Sequence, residues 1–213
     1  MNRRSLSQLL ATLAVAAMAL AAVGPARAAD ETPDVMIKRL SEDVLGAIKA
    51  DTTLQSGDIS KVIALVDARI MPNVNFQRMT ASAVGPAWRQ ATPEQRQKLQ
   101  DEFKTLLVRT YSGALAQVND QSISVKPLRA DAADTEVIVR TEVRGRGDPI
   151  QLDYRLEKTP GQGSGWKIYN LNVLGVWLVE TYRSQFAQEI SAKGVDGLIA
   201  TLATRNRANS GKS

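Results

Sequence analysis

Apolar positions in this chain recur first at helical and then at strand spacing. From Thr32 to Asp51 the positions Met36 or Ile37, Leu40, Val44 and Ile48 predict an amphipathic helix, with Thr32 as N-cap and Pro33 at the first helical position. A turn at Ser56-Gly57 precedes a second helical pattern, Ile59, Val62, Ile63, Val66 and Ile70, which Pro72 ends. That face is so β-branched that only tertiary burial would hold it helical. Phe76 to Ala83 reads as a short helix, Gly85-Pro86 as a break, and Trp88 as part of another brief turn. Thr92-Pro93-Glu94-Gln95 is a capping box and opens a helix to about Val118. Its inward stripe is Leu99, Phe103, Leu106 or Leu107, Thr110 or Tyr111, Ala114 and Val118, with Gln97, Asp101, Lys104 and Arg109 outward.

After Asn119-Asp120 the period becomes two. Ile123 and Val125 begin one strand. Val137, Val139, Thr141 and Val143 form the apolar phase of the next, and Ile150, Leu152, Tyr154 and Leu156 that of the third. Gly165 to Val173 is the fourth, expected to turn Trp166 and Ile168 one way and Tyr169, Leu171 and Val173 the other. The connections Gly145 to Asp148 and Gly161 to Gly165 are turn chemistry, so consecutive strands should pair antiparallel as a meander. From Leu174 the spacing of Leu174, Trp177 or Leu178, Tyr182 and Phe186 is helical again, so the fourth strand should run directly into a helix. Val195, Leu198, Ile199 and Leu202 continue the helical pattern, and Arg205 to Ser213 is expected to fray. The fold class predicted is α+β: a single domain with a curved four-stranded antiparallel sheet packed with several helices.

The first residues stand outside that domain. Arg3 and Arg4 precede an uncharged run from Leu6 to Val23, and Ala26-Arg27-Ala28 has the small-x-small form of a signal-peptidase site. Residues 1–28 are therefore expected to be a signal peptide cleaved after Ala28, leaving a domain at 29–205 and a C-terminal tail at 206–213. The Arg3-Arg4 pair raises twin-arginine export, but Asn2 and Ser7 fit that consensus poorly, which favours general secretion. Cleavage would remove Arg3, Arg4 and Arg27, leaving 24 basic against 22 acidic groups, a net +2 that gives no argument for nucleic-acid binding.

The 213 residues include no Cys and no His. Thiolate nucleophiles, Ser-His triads, imidazole bases and the usual zinc or copper ligand sets are thereby excluded. The glycine-rich loop before Trp166 lies between strands and lacks a phosphate-loop ending, so it reads as a hairpin loop. Arg146-Gly147-Asp148 reads as a strand turn rather than an adhesion motif. Glu136, Glu142, Asp153 and Glu157 sit in the polar phase of their strands, as do Arg140, Arg144 and Arg155, and read as a solvated face. Aromatic and large aliphatic residues are the signal that remains. They fit either a solid core or the lining of a cavity between sheet and helices.

The order of these pieces resembles the periplasmic phospholipid-binding MlaC family, also called the toluene-tolerance Ttg2 family. The resemblance rests on Trp88 followed by the Thr92 capping box and FKTLLVRTYSGAL, on PIQLDYRL, on GWKIYNLNVLGVWLVETYRSQF and on GVDGLIATL, after an exported N-terminus. The familiar form of the long motif has Asp where Asn170 stands, Glu where Leu174 stands and a small polar residue where Trp177 stands.

The resemblance implies a periplasmic glycerophospholipid carrier, not an enzyme, that maintains outer-membrane lipid asymmetry. Its expected partners are an outer-membrane lipoprotein complex and an inner-membrane ABC transporter complex with an MCE-domain subunit. It implies an NTF2-like sheet around an apolar cavity, no cofactor beyond the lipid cargo, and a monomer. Candidate lipid-binding residues are Val137, Val139, Leu152, Tyr154, Tyr169 and Val173 from the sheet, with Leu107, Tyr111 and Trp177 from the helices. The alternatives are an NTF2-like enzyme with a buried carboxylate base and an exported adaptor with a solid core.

Overall fold

The computed structural model describes residues 31–116, 120–131, 133–145 and 147–208, without the side chains of 114–116. The expected export segment, the stripe positions Ala114 and Val118, and Arg146 lie outside that description.

Helix α1 (Pro33–Ala50) starts as expected, with Thr32 at the N-cap in extended backbone and Pro33 at its first position. Its buried Met36, Ile37 and Leu40 pack on Val137, Val139, Leu156, Trp166 and Ile168 of the sheet. A short helix α2 (Thr52–Gln55) follows, capped by the Asp51 carboxylate, which accepts the Thr53 amide at 2.8 Å. Helix α3 (Ile59–Leu65) is capped in the same way by Asp58. The single helix expected up to Ile70 is not what forms. The chain widens into a π-helical turn at Val66–Ile70 and then tightens into a 3-10 turn at Met71–Asn73, where Pro72 has no amide to continue the ladder.

Asn75 caps α4 (Phe76–Val84), and Gly85 ends it at φ 72°, a left-handed conformation natural to glycine. Trp88 sits on the short α5 (Ala87–Gln90). The capping box forms reciprocally at the start of α6 (Pro93–Ala116). The Gln95 amide donates to Thr92 Oγ1 at 3.2 Å, and the Thr92 amide donates to Gln95 Oε1 at 3.0 Å. Of its stripe, Leu99, Phe103 and Leu106 are buried, Leu107 and Tyr111 half-buried, and Thr110 exposed.

Strands β1 (Ser122–Val125), β2 (Glu136–Arg144), β3 (Ile150–Lys158), β4 (Trp166–Val173) and β5 (Val176–Trp177) form one antiparallel sheet in chain order, five strands where four were expected. Directly paired residues point to the same face. Val137 opposite Leu156, Val139 opposite Tyr154 and Thr141 opposite Leu152 therefore build one apolar inner face. The register between β3 and β4 shifts by one residue: Tyr154 pairs with Leu171 but Leu156 pairs with Ile168. Three steps along β4 thus oppose two along β3, which is a bulge at Tyr169-Asn170. Trp166, Ile168, Leu171 and Val173 all end on the inner face, where alternation alone had divided them between two.

β4 does not run straight into a helix. Leu174 and Gly175 make a two-residue turn with φ 52° and 87°, both left-handed, and β5 folds back before α7 (Leu178–Ala208) begins. Gly194, at φ 69° and ψ −175°, breaks α7 into two arms. The second arm extends past the expected end at 205, because Asn206 is buried and donates from Nδ2 to the Glu102 carbonyl at 2.9 Å and to its carboxylate at 2.6 Å.

Leu174 holds a conformation that costs a side-chain-bearing residue roughly 1 kcal/mol, and it is 65% exposed, so little burial offsets the strain. Leu174→Asn, a residue suited to such a turn, is expected to raise stability by about 0.5–1 kcal/mol. A higher urea midpoint with an unchanged slope checks this.

Candidate functional site

The inner face of the sheet meets two separate apolar clusters. One joins α1 to Val137, Val139, Leu156, Trp166 and Ile168. The other is built by α4, α6 and α7 around Phe76, Phe103, Tyr182 and Phe186, with Leu107, Tyr111, Leu171 and Val173 half-buried at its margin. Tyr154, on the middle strand, packs against the first cluster. Burial pushes its phenol pKa upward, while its hydroxyl interacts with Ser41 and Thr141. Tyr154 and its neighbour on the strand, Leu152, are each only partly buried. Helix α6 packs chiefly on α2, α3, α4 and α7.

Of the nine sequence-predicted residues, Val137 and Val139 are buried in the α1 cluster with Tyr154 against it, Leu107, Tyr111 and Val173 pack against the helical cluster, and Leu152 shares the inner face with them. Tyr169 and Trp177 do not join them. The bulge leaves Tyr169 on the outer face, and Trp177, paired with Asn172, lies on that face too. Leu171, opposite Tyr154, is on the inner face as well.

The outer face is polar but not simply solvated. Arg78 of α4 reaches the carboxylates of Glu157 and Glu136 and lies 3.7 Å from the Tyr169 ring centroid. The Tyr169 hydroxyl donates to Glu136 at 2.9 Å. The Arg78 guanidinium, then the Tyr169 hydroxyl, hold the Glu136 carboxyl below its ordinary pKa. Arg155 pairs with Glu180 and lies 4.0 Å from the Trp177 ring centroid. Asn170, 1% exposed, ties β4 to α7: its Oδ1 accepts the Leu171 and Val179 amides at 2.9 and 3.2 Å, and its Nδ2 donates to Glu180 at 2.8 Å. Asp153, expected in solvent, is instead buried, with Oδ2 accepting from Gln151 Nε2 at 2.8 Å and Oδ1 unpartnered among the described residues.

The MlaC protein family model matches residues 38–204. A solved structure of a phospholipid-binding protein from Ralstonia solanacearum, in complex with a phospholipid, superposes with a TM-score of 0.80 at 49% identity, covering 85% of this chain and 99% of that one. The toluene tolerance protein Ttg2D of Pseudomonas putida is 28% identical over 169 residues, 79% of this chain and 77% of the relative. The intermembrane phospholipid transport system binding protein MlaC of Haemophilus influenzae is 23% identical over 177 residues, 82% of each chain.

Two outcomes follow from the outer-face network. A carboxylate with a depressed native pKa contributes stability that is present above its unfolded pKa, about 4.3 for Glu, and is lost as pH falls through the native value. Arg78→Met should therefore lower stability at neutral pH and flatten the loss on acidification, as read by urea unfolding from pH 7 downward. Asn170→Asp sets a second carboxylate against Glu180 where Nδ2 now donates. The expected cost is about 1–3 kcal/mol, partly recovered in the double variant with Glu180→Gln.

Proposed function

Because this chain belongs to the MlaC family, we propose that it is a carrier of glycerophospholipid. It is exported to the periplasm by cleavage after Ala28 and works as a monomer without a cofactor. It moves lipid between an outer-membrane lipoprotein complex and an inner-membrane ABC transporter complex with an MCE-domain subunit, and so maintains outer-membrane lipid asymmetry. The observation that carries the reading is the apolar inner face of the sheet, where Leu152, Tyr154, Leu171 and Val173 stay only partly buried, and we take these residues as the border of a space for acyl chains. Its support is the phospholipid held by the structural relative at 49% identity.

The physics requires such a space. Each methylene kept from water is worth about 0.8 kcal/mol, so a two-tailed lipid crosses an aqueous compartment only inside an apolar sleeve. Leu107, Tyr111, Leu152, Tyr154 and Val173 supply the wall around the tails, Val137 and Val139 its floor, and Leu171 joins them. The rival reading, an enzyme with a carboxylate base in the cavity, finds no support on this face. The paired strands bring no Asp or Glu to it, and the buried Asp153 points the other way, beside Arg140 and Asn172.

Native mass spectrometry of protein purified from cells, followed by lipid extraction, should show a bound glycerophospholipid. Leu152→Asp and Leu171→Asp, each placing a charge against the tails, should lower the bound fraction by about tenfold or more while far-UV circular dichroism stays native. Lipid-free wild-type protein, or folded variants that keep their full lipid content, would exclude the carrier.

A further inference from the structure

The outer face of the sheet carries an open hollow of about 380 Å³, on the side opposite the apolar inner face. Its floor is Ile138, directly opposite Arg155 in the register and two residues from both Glu136 and Arg140 on β2. Arg129 and Asp134, from the connection between β1 and β2, close one side, and Tyr169 the other.

The charges here are unequally committed. Glu136 shares the Arg78 guanidinium with Glu157, and Arg155 is held by Glu180. Asp134 accepts the Asp131 amide at 2.8 Å and has no ion pair among the described residues. The guanidiniums of Arg129 and Arg140 have neither an ion pair nor a hydrogen bond among the described residues, although both border the hollow. Two guanidiniums with unused donors thus stand at the hollow.

We propose that this hollow binds a phosphate ester, with Arg129 and Arg140 on the phosphate and the alcohol portion over Ile138 and beside the Tyr169 ring. A guanidinium fork matches oxyanion geometry bidentately, and two forks suit a dianion with three acceptor oxygens better than a carboxylate, which one fork satisfies. The hollow has room for roughly a dozen waters, more than a bare phosphate fills, so the esterified group belongs to the ligand. The surrounding pairs Arg78 with Glu136 and Arg155 with Glu180 keep the floor and far wall in place without using the two free guanidiniums. The site goes beyond the carrier reading, because it lies on the other face of the sheet and needs no acyl chain.

Glycerol 3-phosphate is the probe, with glycerol and sodium chloride at matched ionic strength as controls. NMR of the full exported chain should show saturable shifts at the Ile138 methyls and the Arg140 Nε–H with the phosphate ester alone. Arg129→Ala/Arg140→Ala, which changes two exposed side chains, should weaken that response by about tenfold or more. Its lipid content by native mass spectrometry should match the wild type, which separates this site from the acyl cavity.

Co-sedimentation with vesicles of phosphatidylcholine with and without phosphatidic acid, whose headgroup is a phosphate monoester, distinguishes the source. Loss of phosphatidic acid binding in the double variant assigns a membrane-borne phosphate. Unchanged vesicle behaviour with lost glycerol 3-phosphate affinity assigns a soluble ester. No saturable shift in the wild type, an equal response in the double variant, or loss of bound lipid in that variant would overturn the proposal.

Discussion

One extra residue in β4 decides which side chains the sheet offers to the interior. Were β4 to alternate regularly against β3, Leu171 and Val173 would lie on the face opposite Trp166 and Ile168. The first pair would then lose its contact with the helical cluster, or the second pair its contact with α1. The bulge at Tyr169-Asn170 lets one strand serve both clusters from the same face. It also leaves two adjacent side chains on the outer side, and both are used there. Tyr169 lies against Arg78 and Glu136, while Asn170 accepts the Val179 amide in the first turn of α7.

This arrangement explains why the outer face is both polar and ordered. Surface ion pairs taken singly contribute little. Here each guanidinium also covers an aromatic ring, Arg78 over Tyr169 and Arg155 over Trp177, and links a helix to the sheet. The pairs act as clasps that set where α4 and α7 stand relative to β3 and β4. The outer edge of β4 is finished by the Asn75 amide, which donates to the Ile168 carbonyl at 2.8 Å, and by β5. The inner face is left to apolar residues, with α4 and α7 tied to the sheet from its outer side.

Much of this was legible in the chain. The capping box at Thr92, the proline-led start of α1, the meander and the apolar phases of β2 and β3 all follow from spacing and turn chemistry, and all formed. The features that escaped are those in which local pattern and tertiary demand part company. Tyr169, Leu171 and Val173 alternate without a flaw, so nothing local marks the bulge, which appears only when β3 supplies the register. Leu174 stands at the first position of a turn that asks for Asn, Asp or Gly, so the β4–β5 hairpin carried no turn signal and its apolar residues read as helix. Trp177 was placed inward on hydrophobicity, yet it sits beneath Arg155 on the polar side. Asp153 was placed in solvent on its phase, whereas the covered outer face buries it.

A domain without a disulfide must place its stability in packing, and the distribution of aromatic residues shows where. Phe103 lies 5.0 Å from Tyr182, 5.2 Å from Phe186 and 5.7 Å from Phe76 between ring centroids, joining α4, α6 and α7 at one end of the molecule. At the other end Met36, Ile37, Val139 and Leu156, each at most 1% exposed, close α1 onto the sheet. These two ends are packed as an ordinary core is, and the half-open residues lie between them. Side chains lining unfilled space forgo dispersion contacts on one side, a cost that grows with the volume left empty. Hydrocarbon entering that space would restore those contacts and bind the folded state alone, adding to its stability in proportion to occupancy. On the carrier reading, an unfilled space that weakens the empty domain is the source of affinity for its cargo, and two tightly packed ends are what such a space needs in order to persist.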